Sequence, residues 1–213
     1  MAKTAEEIKD LLATPLFVEG QKNNYISIKE KDDVTYIEYN CKNTAKRRLQ
    51  NPEEFVQATA FLRLIIEYNY SPLNISVNES VQVGSSTKEA DILVYNNKNN
   101  KILIVVECKA ENVKIHEEDY YQGYNYASWA GASFFVTTNN RETKYFNVDK
   151  TMMPKRLEEI VTIPTAEEAD NERRVKEILS QTKTFSREEF TTMLLKCHNI
   201  IRNNDKLSPE AAF

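Results

Sequence analysis

The sequence predicts an α/β protein in which helices flank a mixed β-sheet, with a helical appendage at the C-terminal end. Three observations lead to this expectation. Residues 51–66 and 117–130 carry apolar side chains at helical spacing or helix-compatible composition, while 75–83, 90–95, 101–107, 132–138 and 143–148 are short β-rich runs. Their order is helix, three strands, helix, strand, strand, which points to an α/β sandwich with a mixed sheet. After Pro164 the composition shifts to Glu and Arg with few large apolar residues, so a different packing environment begins there.

Residues 1–14 place Ala5, Ile8, Leu11 and Leu12 so as to form a short lead-in helix. Between 25 and 40, two alternating runs flank Lys31-Asp32-Asp33, a hairpin pattern. A basic cluster follows, Lys42, Lys46, Arg47 and Arg48; it reads either as a solvated connector or as a phosphate-contacting strip. Asn51-Pro52-Glu53-Glu54 is a helix start with Asn51 as N-cap, Pro52 in the first turn and Glu54 at the reciprocal capping position. Phe55, Ala58, Leu62, Ile65 and Ile66 continue its apolar stripe until Ser71-Pro72 breaks it. Asn96 to Asn100 turns one strand into the next, and Asn139-Asn140 turns another. Near the C-terminus, Ser186-Arg187-Glu188-Glu189 is a capping box opening an amphipathic helix with Phe190, Met193, Leu194, Cys197, Ile200 and Ile201. Ser208-Pro209-Glu210 is a further helix start with three residues after it. So short a helix cannot offset its nucleation cost, which implies a piece of a longer protein.

Composition excludes several function classes. The chain has 213 residues, 41% hydrophobic, with 28 Lys+Arg against 32 Asp+Glu and a net charge of −4. No apolar run approaches the roughly 20 residues of a membrane span, and no secretory apolar core follows the N-terminus, so the expectation is a soluble intracellular protein. Three cysteines without a C-x-x-C pair and two histidines describe neither a disulfide framework nor a zinc site. Four scattered glycines cannot build a phosphate loop or a dinucleotide fingerprint. The charge argues against a protein that coats DNA, though a local basic strip would serve a small footprint.

Three residues carry candidate chemistry: Asp91 in Ala90-Asp91-Ile92-Leu93-Val94, and Glu107 and Lys109 in Val105-Val106-Glu107-Cys108-Lys109. Strand alternation puts Glu107 and Lys109 on one side and Cys108 on the other. If the two strands pair as a hairpin, Asp91 approaches Glu107. Two carboxylates at the edge of an apolar layer call for a cation, because an unpaired buried charge costs several kcal/mol. Mg²⁺, which takes hard oxygen ligands and is commonly held by one or two carboxylates, answers this, with Mn²⁺ as substitute and the Cys108 carbonyl as a further ligand. Lys109 would then orient water or stabilise charge developing on a phosphate, in metal-assisted phosphodiester hydrolysis. The plainer alternative is a structural ion pair at the sheet edge. Gln122 and Tyr126, at i and i+4, share a face of the next helix. They could contact a phosphate or buttress Lys109; equally, Tyr126 could be core and Gln122 solvated.

With Pro52-Glu53-Glu54 opening a helix, then Ala90-Asp91, then Glu107-Cys108-Lys109-Ala110, then Gln122-x-x-x-Tyr126-Ala127 and Gly131-Ala132, the stretch 35–150 resembles the N-terminal nuclease domain of type I restriction enzyme R subunits, in the PD-(D/E)XK superfamily. The resemblance implies a restriction-endonuclease-like fold and a Mg²⁺-dependent DNA endonuclease. Asp91 and Glu107 would be metal ligands, Lys109 the catalytic lysine, Gln122 and Tyr126 the accessory motif, and Glu54 either a further site acid or a helix cap. It also implies double-stranded DNA and modification and specificity subunits as partners, dimerisation on DNA, and a bacterial cytoplasmic location. Two positions depart from the pattern: Glu89 stands where relatives often carry a basic residue, and Gln57 where an arginine is expected. Both lower the attraction for phosphate, and a catalytically silent docking module is the alternative reading. The stretch 185–213 looks like the helical entrance to an N6-adenine DNA methyltransferase module, without its cofactor motifs; neither an ATP site nor an S-adenosylmethionine site is expected within the chain. The expected division is a lead-in segment 1–24, a nuclease domain 25–164, and a helical linker 165–213.

Overall fold

The computed structural model describes residues 2–83, 86–149 and 157–182, together with positions 191, 194, 195 and 198. The chain divides into two compact units, Met1–Thr182 and Lys183–Phe213. The amphipathic helix expected after Ser186 falls in the second unit; apart from those four positions, which are helical, it lies outside the described residues.

Two short helices, α1 (Ala5–Leu12) and α2 (Pro15–Lys22), lead into a hairpin of β1 (Ile26–Lys31) and β2 (Val34–Tyr39). Its two-residue turn has Asp32 and Asp33 both in the left-handed region, at φ 53° and 60°, the geometry that matches the right-handed twist of the flanking strands. The basic cluster is not a connector: Ala45–Arg48 forms β3, antiparallel to β2, and completes a three-stranded sheet in the order β1-β2-β3. Two of its cations lie against β2. Lys46 pairs with Glu38 at 3.3 Å and lies over the Tyr36 ring at 4.8 Å, and Arg48 also faces that ring.

Helix α3 (Pro52–Ile66) begins at Asn51, whose side chain accepts from the Glu53 N–H. The reciprocal half of the expected capping box is not made. Glu54 turns inward and accepts from the Tyr39 hydroxyl, and it is 3% exposed. After a 3₁₀ turn at Pro72–Asn74 come β4 (Ile75–Val83), β5 (Ser86–Tyr95) and β6 (Ile102–Cys108), then α4 (Glu117–Ala130), β7 (Phe134–Thr138), β8 (Thr143–Asn147) and β9 (Glu158–Ile160). These six strands make one mixed sheet in the order β4-β5-β6-β7-β8-β9, parallel only between β6 and β7. Helix α4 is the crossover between that parallel pair, and it ends at Gly131, φ 83°, a conformation that favours glycine.

Each face of the large sheet has its own core. Ile92, Val94, Ile104, Val106, Cys108, Phe134 and Val136 join α1, α2, α3 and the small sheet in one cluster. Leu93, Val105 and Phe135 join Tyr120, Tyr124, Tyr126 and Ala127 of α4 in the other. The lead-in segment belongs to the first cluster through Ile8 and Phe17. So do residues beyond 164: α5 (Ala166–Ala169) and α6 (Glu172–Ser180) sit in the first compact unit, with Ile178 1% exposed and the Tyr70 hydroxyl donating to the Pro164 carbonyl. The boundary expected at 164/165 therefore falls inside this unit. The outer side of α4 leaves Tyr121 and Trp129 exposed, the latter at 63%. Among the described residues no helix is long and apolar enough to cross a membrane.

Gly123 lies on α4 where a Cβ would overlap the ring of Phe135, which is fully buried and has no room to retreat. Alanine gains about 1 kcal/mol in helix propensity but overpacks the interface, at about 1–3 kcal/mol when strain is spread over a core. Gly123→Ala is expected to lower the urea midpoint; an unchanged or raised midpoint would show that α4 can lift from the sheet without cost.

Candidate active site

Strand parity assembles the site. Val105 on β6 and Leu93 on β5 both pack toward α4. Two residues onward along β6, Glu107 comes out on that same face, and Lys109 follows beyond the strand end. Two residues back from Leu93, Asp91 does likewise, one step past the last rung of the β5–β6 ladder, Ile92 opposite Val106. The expected approach of Asp91 to Glu107 is therefore present. The backbone N–H of Cys108 donates to Asp91 Oδ2 at 2.6 Å, and Lys109 Nζ pairs with Glu107 Oε1 at 3.0 Å.

Helix α4 closes the other wall. Gln122, Gly123, Asn125 and Tyr126 line a cleft of about 260 Å³ with Glu107, Lys109, Lys88, Glu89 and Asp119. Gln122 is exposed there, while Tyr126 is 8% exposed and its buried hydroxyl has no hydrogen-bond partner among the described residues. Sequence reasoning missed Asp119, although it precedes Gln122 by three positions and Tyr126 by seven, on one helical face. It also missed Glu53, an exposed residue whose charge acts on Asp91 and Lys109. The acid named from the sequence, Glu54, is instead committed to Tyr39 and does not line the cleft. The first turn of α3 thus offers its neighbour to the site.

The electrostatics are those of a crowded anionic pocket. Burial pushes the Asp91 carboxyl up to about 7, with the charge of Glu107 adding to it and the Cys108 N–H opposing. Glu54 is pushed up to about 7, also by burial, against the Tyr39 hydrogen bond and Arg47. Burial works against the Lys109 ammonium, yet Glu107, Glu53 and Asp119 leave it raised. Burial, then Glu107 and Asp91, raise the Tyr126 phenol. The segment that follows Lys109 is tied down at Glu111. Lys3 pairs with Glu111 at 2.7 Å and lies over the Phe55 ring, and Asn140 donates to the same Glu111.

No group of three His, Cys, Asp or Glu side chains stands as a metal cage among the described residues. Asp91, Glu107 and the Cys108 carbonyl are an oxygen-only set suited to a hard cation that retains much of its water. Fit is favoured by the two neighbouring carboxylates, one of which resists ionisation without a counter-charge. The folded chain holds the Asp91 proton more tightly than the unfolded chain does, so stability falls as pH rises from about 4 through 7. Asp91→Asn is therefore expected to be more stable than the parent chain by about 1–3 kcal/mol at pH 8 in chelator, and equal to it near pH 4. Parallel urea-stability profiles for the two chains over that range would rule out the buried acid.

The profile described as type I restriction enzyme R protein N terminus matches residues 52–164, more than half of the chain. A solved fragment from Vibrio vulnificus, described as an HsdR subunit of a type I restriction enzyme, is 23% identical over 50% of this chain and 21% of that one, with a TM-score of 0.35. The match therefore spans about a fifth of that fragment's length. No curated protein matches. The matched region begins at the first residue of α3 and takes in β4 to β9 with α4, hence every residue of the cleft, and the chain belongs to the family of type I restriction enzyme R protein N-terminal domains.

Proposed function

We propose that this chain is the nuclease part of a type I-like restriction system, a Mg²⁺-dependent endonuclease that hydrolyses phosphodiester bonds of unmodified double-stranded DNA in the bacterial cytoplasm. The observation that carries the reading is the placing of Asp91, held by the Cys108 N–H, next to Glu107 and Lys109, which share one cleft with Gln122 and Tyr126. Family membership supports it independently.

Asp91, Glu107 and the Cys108 carbonyl would hold the cation, and Mn²⁺ would substitute. When bound, Mg²⁺ supplies Lewis acidity toward a phosphoryl oxygen and makes water more acidic. With Glu107 shared with the cation, the Lys109 ammonium, which lines the cleft, would orient water and stabilise charge developing on phosphate. Gln122, exposed at the rim, presents an amide to the DNA backbone. The Tyr126 hydroxyl, without a hydrogen-bond partner among the described residues, is available as a donor toward the acids or the phosphate. Lys88 is the cation that lines the cleft besides Lys109, so phosphate attraction is local rather than spread over the surface. Further modules supply site recognition and licensing, and two copies acting on one DNA supply the second strand cut. The acidic side chain of Glu89 in the cleft favours the competing reading, a docking module without turnover.

Calorimetric titration of Mn²⁺ and Mg²⁺, with and without a DNA duplex, separates the two. Saturable binding is expected in the parent chain and in Lys109→Ala, and is expected to vanish in Asp91→Ala and Glu107→Ala. Lys109→Ala should bind metal yet leave DNA uncut when the chain is assembled with its partner subunits. Absence of metal binding in the parent chain under every condition would leave the docking module as the surviving reading.

A further inference from the structure

We propose that Gln57 is a positioning residue for Asp91, a side-chain amide that stands in for a missing rung of the sheet; this rests on the reading of Asp91 as a metal ligand. Asp91 is where both neighbouring ladders lapse. Toward β4 the register runs from Val77 opposite Ile92 to Glu79 opposite Ala90, with no rung between Asn78 and Asp91. Toward β6 it stops at Ile92 opposite Val106. Ordinarily a strand residue is held by main-chain bonds to its neighbours, and its side chain inherits that precision. At Asp91 the precision comes from elsewhere.

Gln57 is 2% exposed on α3, and its Nε2 donates at 2.9 Å both to the Asp91 carbonyl and to Asn78 Oδ1. Asn78 is the residue that breaks the ladder, with φ 52°, a left-handed conformation that asparagine tolerates. Its own Nδ2 donates to Glu89 Oε1 at 3.1 Å, and Glu89 pairs with Arg47 at 3.8 Å. That chain of contacts fixes which end of the Asn78 amide faces Gln57. Asp91 is thus gripped at two atoms, its carbonyl by Gln57 and its Oδ2 by the Cys108 N–H. With the carbonyl pinned, the carboxylate can exchange the Cys108 N–H for a cation without the backbone swinging away. A neutral amide does this without adding charge beside Glu107, where the sequence pattern led to an expected arginine.

Partners that orient a ligand are typically worth about 10- to 100-fold in metal affinity. The test is Mn²⁺ affinity by calorimetry on the 213-residue chain. Gln57→Met removes both donors at similar length, and Gln57→Asn withdraws the amide by one methylene. Each is expected to weaken Mn²⁺ about 10- to 100-fold. Val56→Ala, a change at a fully buried neighbour on the same helix, is the control: it should lower the melting temperature and leave affinity unchanged. Parent-like affinity in both Gln57 variants overturns the proposal while leaving the metal reading intact; no binding in the parent chain overturns both. If neither Gln57 variant folds, NMR of the parent chain decides. The Gln57 side-chain amide protons should exchange slowly and shift on Mg²⁺ addition, whereas exchange as fast as that of exposed Gln122, with no response to Mg²⁺, overturns the proposal.

Discussion

The parallel pairing of β6 with β7 is the constraint on which the rest of the arrangement depends. Parallel neighbours cannot be joined by a tight turn, so the chain must cross the sheet, and it does so through α4. That crossing starts just after the strand end that carries Glu107 and Lys109. The helix must therefore pack beside those residues, and the face it presents carries Asp119, Gln122 and Tyr126. Clefts of open α/β sheets form at the carboxyl ends of strands for this topological reason. Close approach of the helix then depends on Gly123 lying flat against Phe135.

The pocket is held against its own electrostatics. An acid with a raised affinity for its proton, a second carboxylate tied to an ammonium, and a buried phenol without a partner among the described residues are each unfavourable in a part-buried place. Two well-packed cores, one on each face of the sheet, offset that burden. Local conflict of this kind inside an otherwise consistent framework is the pattern expected of functional sites.

Much of the framework was legible because burial sets the period. Strands β4 to β8 are covered on at least one face and carry the apolar runs that betray it; α4 is bounded by Glu117 and by Gly131, and both ends were recoverable. Strand β3 was hidden because Lys46 and Arg48 gain their contacts from aliphatic stems and cation–ring geometry on Tyr36, which no hydrophobic pattern records. Strand β9 spans three residues at the edge of the sheet, too short to carry a period. Helix α2 carries just two buried positions, Phe17 and Gly20. Within the site, Asp91, Glu107 and Lys109 could be grouped from parity alone. The inward turn of Glu54 could not, since it depends on Tyr39 from another element, and neither could the grip of Gln57 on a ladder defect 34 residues away. Side chains that answer to distant backbone leave no local trace.

The exposed indole on α4 has an optical consequence. Trp129 is the sole tryptophan of the chain, and in the folded state it is already largely in water. Its emission therefore starts near the red limit and changes little on unfolding, so native fluorescence is a poor gauge of whether this protein is folded. The same circumstance makes it a clean gauge of company. A subunit or a second copy that covers the outer side of α4 removes water from the ring and moves the emission to shorter wavelength. Trp129 follows the cleft-lining Asn125 by four positions and Gln122 by seven, so its emission reports whether anything covers that exposed face of α4.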